Sequence, residues 1–165
     1  MPLRWAQLAE FEFDGLVLPG GHDKGMRDYL ESEILQKEVV RYFDADKPVG
    51  AICHGVVLAA RSKRINGKIV LAERKTTALL QSQEMMAYYM TCMWLKDYYR
   101  TYPQTVEKEV RSIGSNFASG PTPLLRDSPE HLERGFAVRD GNYVSARWPG
   151  DAHRFALEFL KLLKS

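Results

Sequence analysis

The sequence predicts an α/β fold built on an open sheet, and three observations carry that prediction. Residues 13–22 read Phe-Asp-Gly-Leu-Val-Leu-Pro-Gly-Gly-His, a short apolar strand closing in a glycine turn. Residues 47–60 form a second apolar run, which breaks at Cys53-His54-Gly55 and resumes as a small-residue helix. Near the end, Asp140-Gly141-Asn142 sits between Phe136-Ala137-Val138 and Tyr143-Val144-Ser145, a tight-turn signal between two strands. With 165 residues, 45% of them hydrophobic and 27% charged, the chain suits one globular domain spanning 1–165 with a substantial core.

The elements follow in order. A strand at 14–18 precedes a helical turn near 24–30 and a helix over 33–45, for which Ser32 supplies an N-cap and Leu35, Val39, Tyr42 and Phe43 an apolar face. A strand at 49–52 feeds a helix at 54–63, whose end, Arg61-Ser62-Lys63-Arg64, reads as a solvated, dipole-complementing terminus. Ile69, Val70, Leu71 and the Thr76-Thr77 pair suggest one or two strands within 67–80. From about Ser82 the apolar residues of 85–94 recur at helical spacing, so that helix, with Cys92, is expected in the core, its methionines serving as adaptable packing. Residues 98–130 are rich in Tyr, Pro, Ser and Gly, with a short helix around 104–113. Asp151 is placed to cap a final helix whose buried stripe is Phe155, Phe159, Leu162 and Leu163.

The chemistry concentrates where two strands end. In an open α/β sheet ligands bind beyond the carboxyl ends of the strands, and Cys53 stands at such an end on a sharp elbow. Ala51-x-Cys53-x-Gly55 is the cysteine counterpart of a nucleophile elbow, whose small flanking residues let the chain turn sharply. A helix beginning behind it would favour the thiolate, the nucleophilic form. The alternative, an inert cysteine packed as a small hydrophobe, is disfavoured by the adjacent polar His54. If the strands are parallel neighbours, Gly20 and Gly21 come close to the thiol and offer N–H donors, with that of His54, to a developing oxyanion.

Other classes are excluded or left unsupported. The net charge of +2 and the scattered basic residues point to no nucleic-acid partner, and no apolar run is long enough to cross a membrane. Two cysteines, Cys53 and Cys92, are too few for a disulfide framework, and no basic-then-apolar leader opens the sequence, so a reducing cytoplasmic setting is expected. The histidines at 22, 54, 131 and 153 show no metal-ligand spacing, so no metal is expected.

Residues 16–22 and 49–55 together resemble the ThiJ/PfpI family of the class I glutamine amidotransferase-like superfamily, and Tyr143-Val144-Ser145-Ala146-Arg147-Trp148-Pro149-Gly150-Asp151 is similar to its last strand and following loop. The resemblance implies a three-layer, flavodoxin-like sandwich with a mostly parallel sheet. It also implies a cofactor-independent cysteine enzyme of the glyoxalase or deglycase type, acting on a small carbonyl substrate such as a 2-oxoaldehyde. Cys53 is then the nucleophile and His54 or His22 the proton carrier. Gly20, Gly21 and His22 would bind the oxyanion or substrate, together with Arg147, Trp148 and Pro149. Tyr98, Tyr99 and Tyr102 are candidates for the pocket wall.

Two departures temper what the resemblance implies. The family begins with a strand-helix-strand unit, which does not fit in the thirteen residues before Asp14, so an amino-terminal truncation is expected, with an exposed strand edge. With that unit goes the glutamate that usually faces the nucleophile, and Glu73 and Glu84 are its only candidate substitutes. The His-x-Glu pair of true glutamine amidotransferases is also missing from 147–151. Two alternatives stay open: a cysteine peptidase or amidase on the same elbow, and a non-catalytic redox-responsive or chaperone-like protein. A symmetric homodimer is the expected assembly if the chain self-associates.

Overall fold

The computed structural model describes residues 3–164. Its main sheet has four strands in the order β1-β2-β6-β5. These are β1 (Leu16–Leu18), β2 (Val49–Ile52), β6 (Tyr143–Ala146) and β5 (Ala137–Asp140). The first three are parallel, with Leu18 opposite Ala51 and Ala51 opposite Ser145; β5 runs antiparallel to β6 through the hairpin foreseen at Gly141, whose φ of 59° suits glycine. Leading into the core are α1 (Met26–Leu30), α2 (Glu33–Asp44) and α3 (Gly55–Arg61); α4 (Gln81–Leu95), α5 (Val106–Ser112) and α6 (Ala152–Leu163) complete the helices.

Strand periodicity divides the core into two faces. Val49, Ala51 and Tyr143 point into the larger cluster, with Leu35, Val39 and Phe43 of α2 and Val56 to Ala60 of α3. Gly50, Val144 and Ala146 face α6, where a Cβ on Gly50 would press on Phe155 and Phe159. A three-layer, flavodoxin-like α/β arrangement results, with helices on both faces of the sheet. Ser32 caps α2 as the sequence predicts, its Oγ accepting from the Leu35 N–H.

Several expectations are corrected. Within 67–80 only Lys75–Thr76 is strand (β3), and it pairs in parallel with Asn116–Phe117 (β4), which the sequence reading missed, in a separate two-stranded sheet. Each ladder is too short to show periodicity. Thr76 Oγ1 reaches Tyr143 Oη at 3.0 Å, and Ser145 Oγ accepts from the Thr77 N–H at 2.9 Å. These bonds lock residues 76–80 beside β6 and so aim α4 across the carboxyl end of the sheet.

The solvated reading of 61–64 holds in part: Arg61 stands in the last turn of α3 and Lys63 is exposed, but the segment is not solvated throughout. Arg61 is forked onto Glu109 of α5 and bonds Tyr102, while Ser62 is fully buried. Leu163 is 40% exposed and outside the buried stripe. Helix α4 is the largest departure: its apolar residues are mostly exposed, only Glu84 is buried, and Cys92 is part-exposed. Apolar residues occur all round this helix, so spacing alone selects no inner face. No helix among the described residues is long and apolar enough to cross a membrane.

Candidate active site at the carboxyl end of the sheet

Cys53 follows the last residue of β2 and adopts φ 58°, a left-handed conformation that costs a non-glycine residue on the order of 1–3 kcal/mol and is a mark of functional sites. Its N–H donates to Ala146 O at 3.1 Å, which ties the elbow to β6. Two glycines make the turn sterically feasible. A Cβ on Gly55 would collide with the Leu18 and Pro19 carbonyls, and one on Gly20 would stand 2.6 Å from Cys53 Cβ and 2.9 Å from the His54 nitrogen. Gly20 therefore approaches the thiol as the sequence predicts. A Cβ on Gly21 would instead meet the Met26 thioether, at 2.9 Å from its sulfur.

His54 is buried with its Nδ1 3.5 Å from Cys53 Sγ. Its ring meets His22 edge-on at 5.1 Å between centroids, and His22 in turn meets Tyr99 at 5.1 Å. The loop carrying His22 is held by Thr101, whose Oγ1 donates to His22 O at 2.8 Å, and by Lys24 on Asp97. Beyond His22 opens a cavity of about 330 Å³, walled by Leu79, Gln83, Met86, Met90, Trp148 and Pro149 among others. His22 Nδ1 and Trp148 Nε1 are buried without a partner, so two polar atoms of cavity-lining side chains are left unpaired. Cys53 and His54 do not line this cavity; His22 touches both it and His54. A larger open depression of about 630 Å³, at Arg61 and Tyr102, contains none of these groups.

Electrostatics reverses the expectation of a resting thiolate. Burial pushes the Cys53 thiol up to about 12. A hydrogen bond from the His54 backbone opposes that rise and the Glu84 charge adds to it. Burial, with a smaller contribution from His22, brings His54 down to about 3, and burial also lowers His22. Desolvation thus outweighs the local dipoles, and the site rests as a neutral thiol beside neutral imidazoles.

The two glutamates separate cleanly. Glu73 is exposed and paired with Lys68 at 2.8 Å, whereas Glu84 is buried, accepts from the Val106 N–H at 3.0 Å, and is raised by burial. Glu84 alone of the two bears on the thiol.

Arg147 is fully buried, and its guanidinium is taken up by Asp151, at 2.9 Å through both Nε and Nη2, and by the Ser119 and Pro121 carbonyls. It is therefore not free to orient a substrate carboxylate; it pins the loop that presents Trp148 and Pro149 to the cavity. Asp151 stands at the N-cap position of α6, but its carboxylate serves Arg147 and the Phe136 N–H rather than the helix. Of the three tyrosines, Tyr99 packs on His22, Tyr98 on Tyr99, and Tyr102 lies at the Arg61 depression. The sequence reading missed the cavity wall from α4; the methionine run was its only signal. Among the described residues no three His, Cys, Asp or Glu side chains are grouped to hold a metal ion.

Comparison with known proteins bears on the family and the fold. The model of the DJ-1/PfpI family matches residues 3–162. The chain is 26% identical over 153 residues to Deglycase TK1284 of Thermococcus kodakarensis and 28% identical over 154 residues to Deglycase PfpI of Pyrococcus furiosus. Each alignment covers 93% of this chain and 64% of the relative, so the chain spans just under two thirds of their length. Among solved structures, the Rapid Encystment Protein 24 kDa of Francisella tularensis superimposes with a TM-score of 0.72 at 22% identity, over 92% of this chain and 59% of that one. With a family match from residue 3 to residue 162 and the cysteine elbow seated between parallel β1 and β6, the chain belongs to the DJ-1/PfpI family.

Proposed function

We propose that this chain carries cofactor-independent chemistry of the glyoxalase or deglycase type, with Cys53 as nucleophile toward a small 2-oxoaldehyde. One observation supports it above others: a cysteine held at φ 58° with a neutral imidazole nitrogen 3.5 Å from its sulfur. The deglycase names of two archaeal relatives support the same class.

Because the thiol rests protonated, attack and proton transfer are coupled. With hydrogen on Nε2, His54 Nδ1 accepts the thiol proton as sulfur adds to the aldehyde carbon, and the new alkoxide takes that charge near the Gly20 and His54 backbone. The alkoxide is protonated to the hemithioacetal. Imidazole then removes the proton from the former aldehyde carbon to give an enediol and returns it to the neighbouring carbon. The hydroxyl proton passes meanwhile from the former aldehyde oxygen to the neighbouring oxygen, leaving a 2-hydroxyacyl thioester. Water cleaves the thioester to the 2-hydroxy acid and restores the thiol, with no net oxidant or reductant. His22 must move for the thiol to meet a ligand in the cavity.

A second reading, a non-catalytic member of the family, is favoured by the burial of Cys53; the same burial leaves little accessible thiolate for an oxidant and so speaks against the redox-responsive form of that reading. Acid-quenched mass spectrometry during exposure to methylglyoxal separates the two. A lactoyl thioester mapped to Cys53 is expected, and a chain that carries none while folded contradicts the enzymatic reading.

A further inference from the structure

A separate cavity of about 250 Å³ lies where β1, α2 and α3 meet the short 3-10 helix Trp5–Glu10, and it shares no lining residue with the cavity beside His22. Leu18, Val39 and Leu58 of the main core line it, and Trp5 and Phe13, 40 and 43% exposed, bring it to the surface. Apolar cavities of about 150 Å³ stay dry and admit benzene, so this one has room for a ring with a short chain.

Polar groups on its wall are few. Glu38 and Arg41 are spent on each other at 2.7 Å, and Arg41 also donates to the Phe11 carbonyl. Tyr29 differs: its hydroxyl is buried and has no hydrogen-bond partner among the described residues. Native proteins rarely leave such a group unpaired. Burial pushes its pKa up, which keeps the proton in place and makes the hydroxyl a donor without an acceptor. A water would need at least two polar partners to settle there.

We propose that this cavity is a second ligand site, taking a neutral lipophilic molecule of about 10 non-hydrogen atoms whose one carbonyl oxygen accepts from the Tyr29 hydroxyl. The lining excludes other classes. An ion meets no unpaired countercharge, a hydrocarbon leaves the hydroxyl unpaired, and a polyol buries more polar groups than one hydroxyl can satisfy. The site involves neither Cys53 nor His54. Its ligand packs instead on Leu16 and Leu18 of β1, the strand that runs on to Gly20 at the cysteine elbow.

Two probes test this: propiophenone, and 2-phenyl-1-butene, in which a methylene replaces the carbonyl oxygen. Each is titrated into the unmodified chain and its variants and followed by methyl NMR. Both are expected to bind saturably, with shifts centred on Leu18, Val39 and Leu58 rather than on Met86 and Met90. Tyr29→Phe removes only an oxygen that has no partner, so the variant is expected to fold. In it the ratio of ketone to alkene affinity is expected to fall about fivefold, the effect of one net hydrogen bond. Val39→Phe, which fills the cavity, is expected to weaken both probes at least tenfold. No saturable binding of either probe, shifts centred on Met86 and Met90, or a ratio unchanged by Tyr29→Phe overturns the inference. If Val39→Phe does not fold, Tyr29→Phe and the map of shifts decide.

Discussion

Cys53 Sγ lies 3.5 Å from Nδ1 of His54, and burial pushes the two groups in opposite directions, the thiol up to about 12 and the imidazole down to about 3. Neither side of the pair is charged near neutrality. A preformed thiolate–imidazolium pair is therefore absent at rest, and any nucleophilic step draws the proton across as the bond to sulfur forms.

Resting reactivity follows. A thiol moved from the usual 9 up to about 12 carries roughly a thousandfold less thiolate at pH 7.5. Iodoacetamide is expected to label part-exposed Cys92 first and to leave Cys53 nearly untouched over the same interval, as read by peptide mass spectrometry. His22→Ala, which removes the ring between His54 and the cavity, is expected to raise Cys53 labelling at least several-fold.

Stability is expected to fall in mild acid. The folded state holds His54 neutral down to about 3, while the unfolded chain takes up a proton near 6.5, so lowering the pH through that window favours unfolding. The loss attributable to His54 is about 2 kcal/mol between pH 7 and pH 5, and His22 adds to it in the same direction. Urea titrations at the two pH values check this. In His54→Gln the pH-dependent difference should shrink by about that amount.

The Arg147–Asp151 pair supplies a structural test. Both side chains are fully buried, so Arg147→Met strands a carboxylate in the interior and is expected to cost about 3–5 kcal/mol. Replacing both partners, Arg147→Met with Asp151→Leu, should cost less than the single change if the stranded charge is the main penalty. Thermal melts of the three proteins measure it.

Backbone approach at the elbow gives a further contrast. An Ala at Gly20 would bring its Cβ to 2.6 Å from Cys53 Cβ and 2.7 Å from Ile52 O, and is expected to cost about 1–3 kcal/mol through overpacking. Gly25→Ala meets nothing within 4 Å and should be close to neutral. Equal melting temperatures for the two variants would contradict the close packing of β1 on the elbow.

Much of the frame was legible because it rests on local signals. The Pro-Gly-Gly-His and Cys-His-Gly strand ends, the Asp-Gly-Asn turn and the Ser32 cap each act within a few residues, and all four stand where expected. What failed depends on distant partners. Cys53 was expected ionised because the sequence displays the helix behind it and not the burial around it. Arg147 was assigned to substrate because its fork on Asp151 and on the 119–121 carbonyls requires the fold to be seen. The outward face of α4 was missed because a helix apolar on all sides carries no directional pattern.

The central claim is that Cys53 performs the chemistry, and lactate formation from methylglyoxal without added cofactor tests it most directly. The unmodified chain and Cys92→Ala are expected to produce lactate at similar rates, and Cys53→Ala to lose at least a hundredfold. Lactate formed equally by folded Cys53→Ala, or by none of the three proteins, would contradict the account.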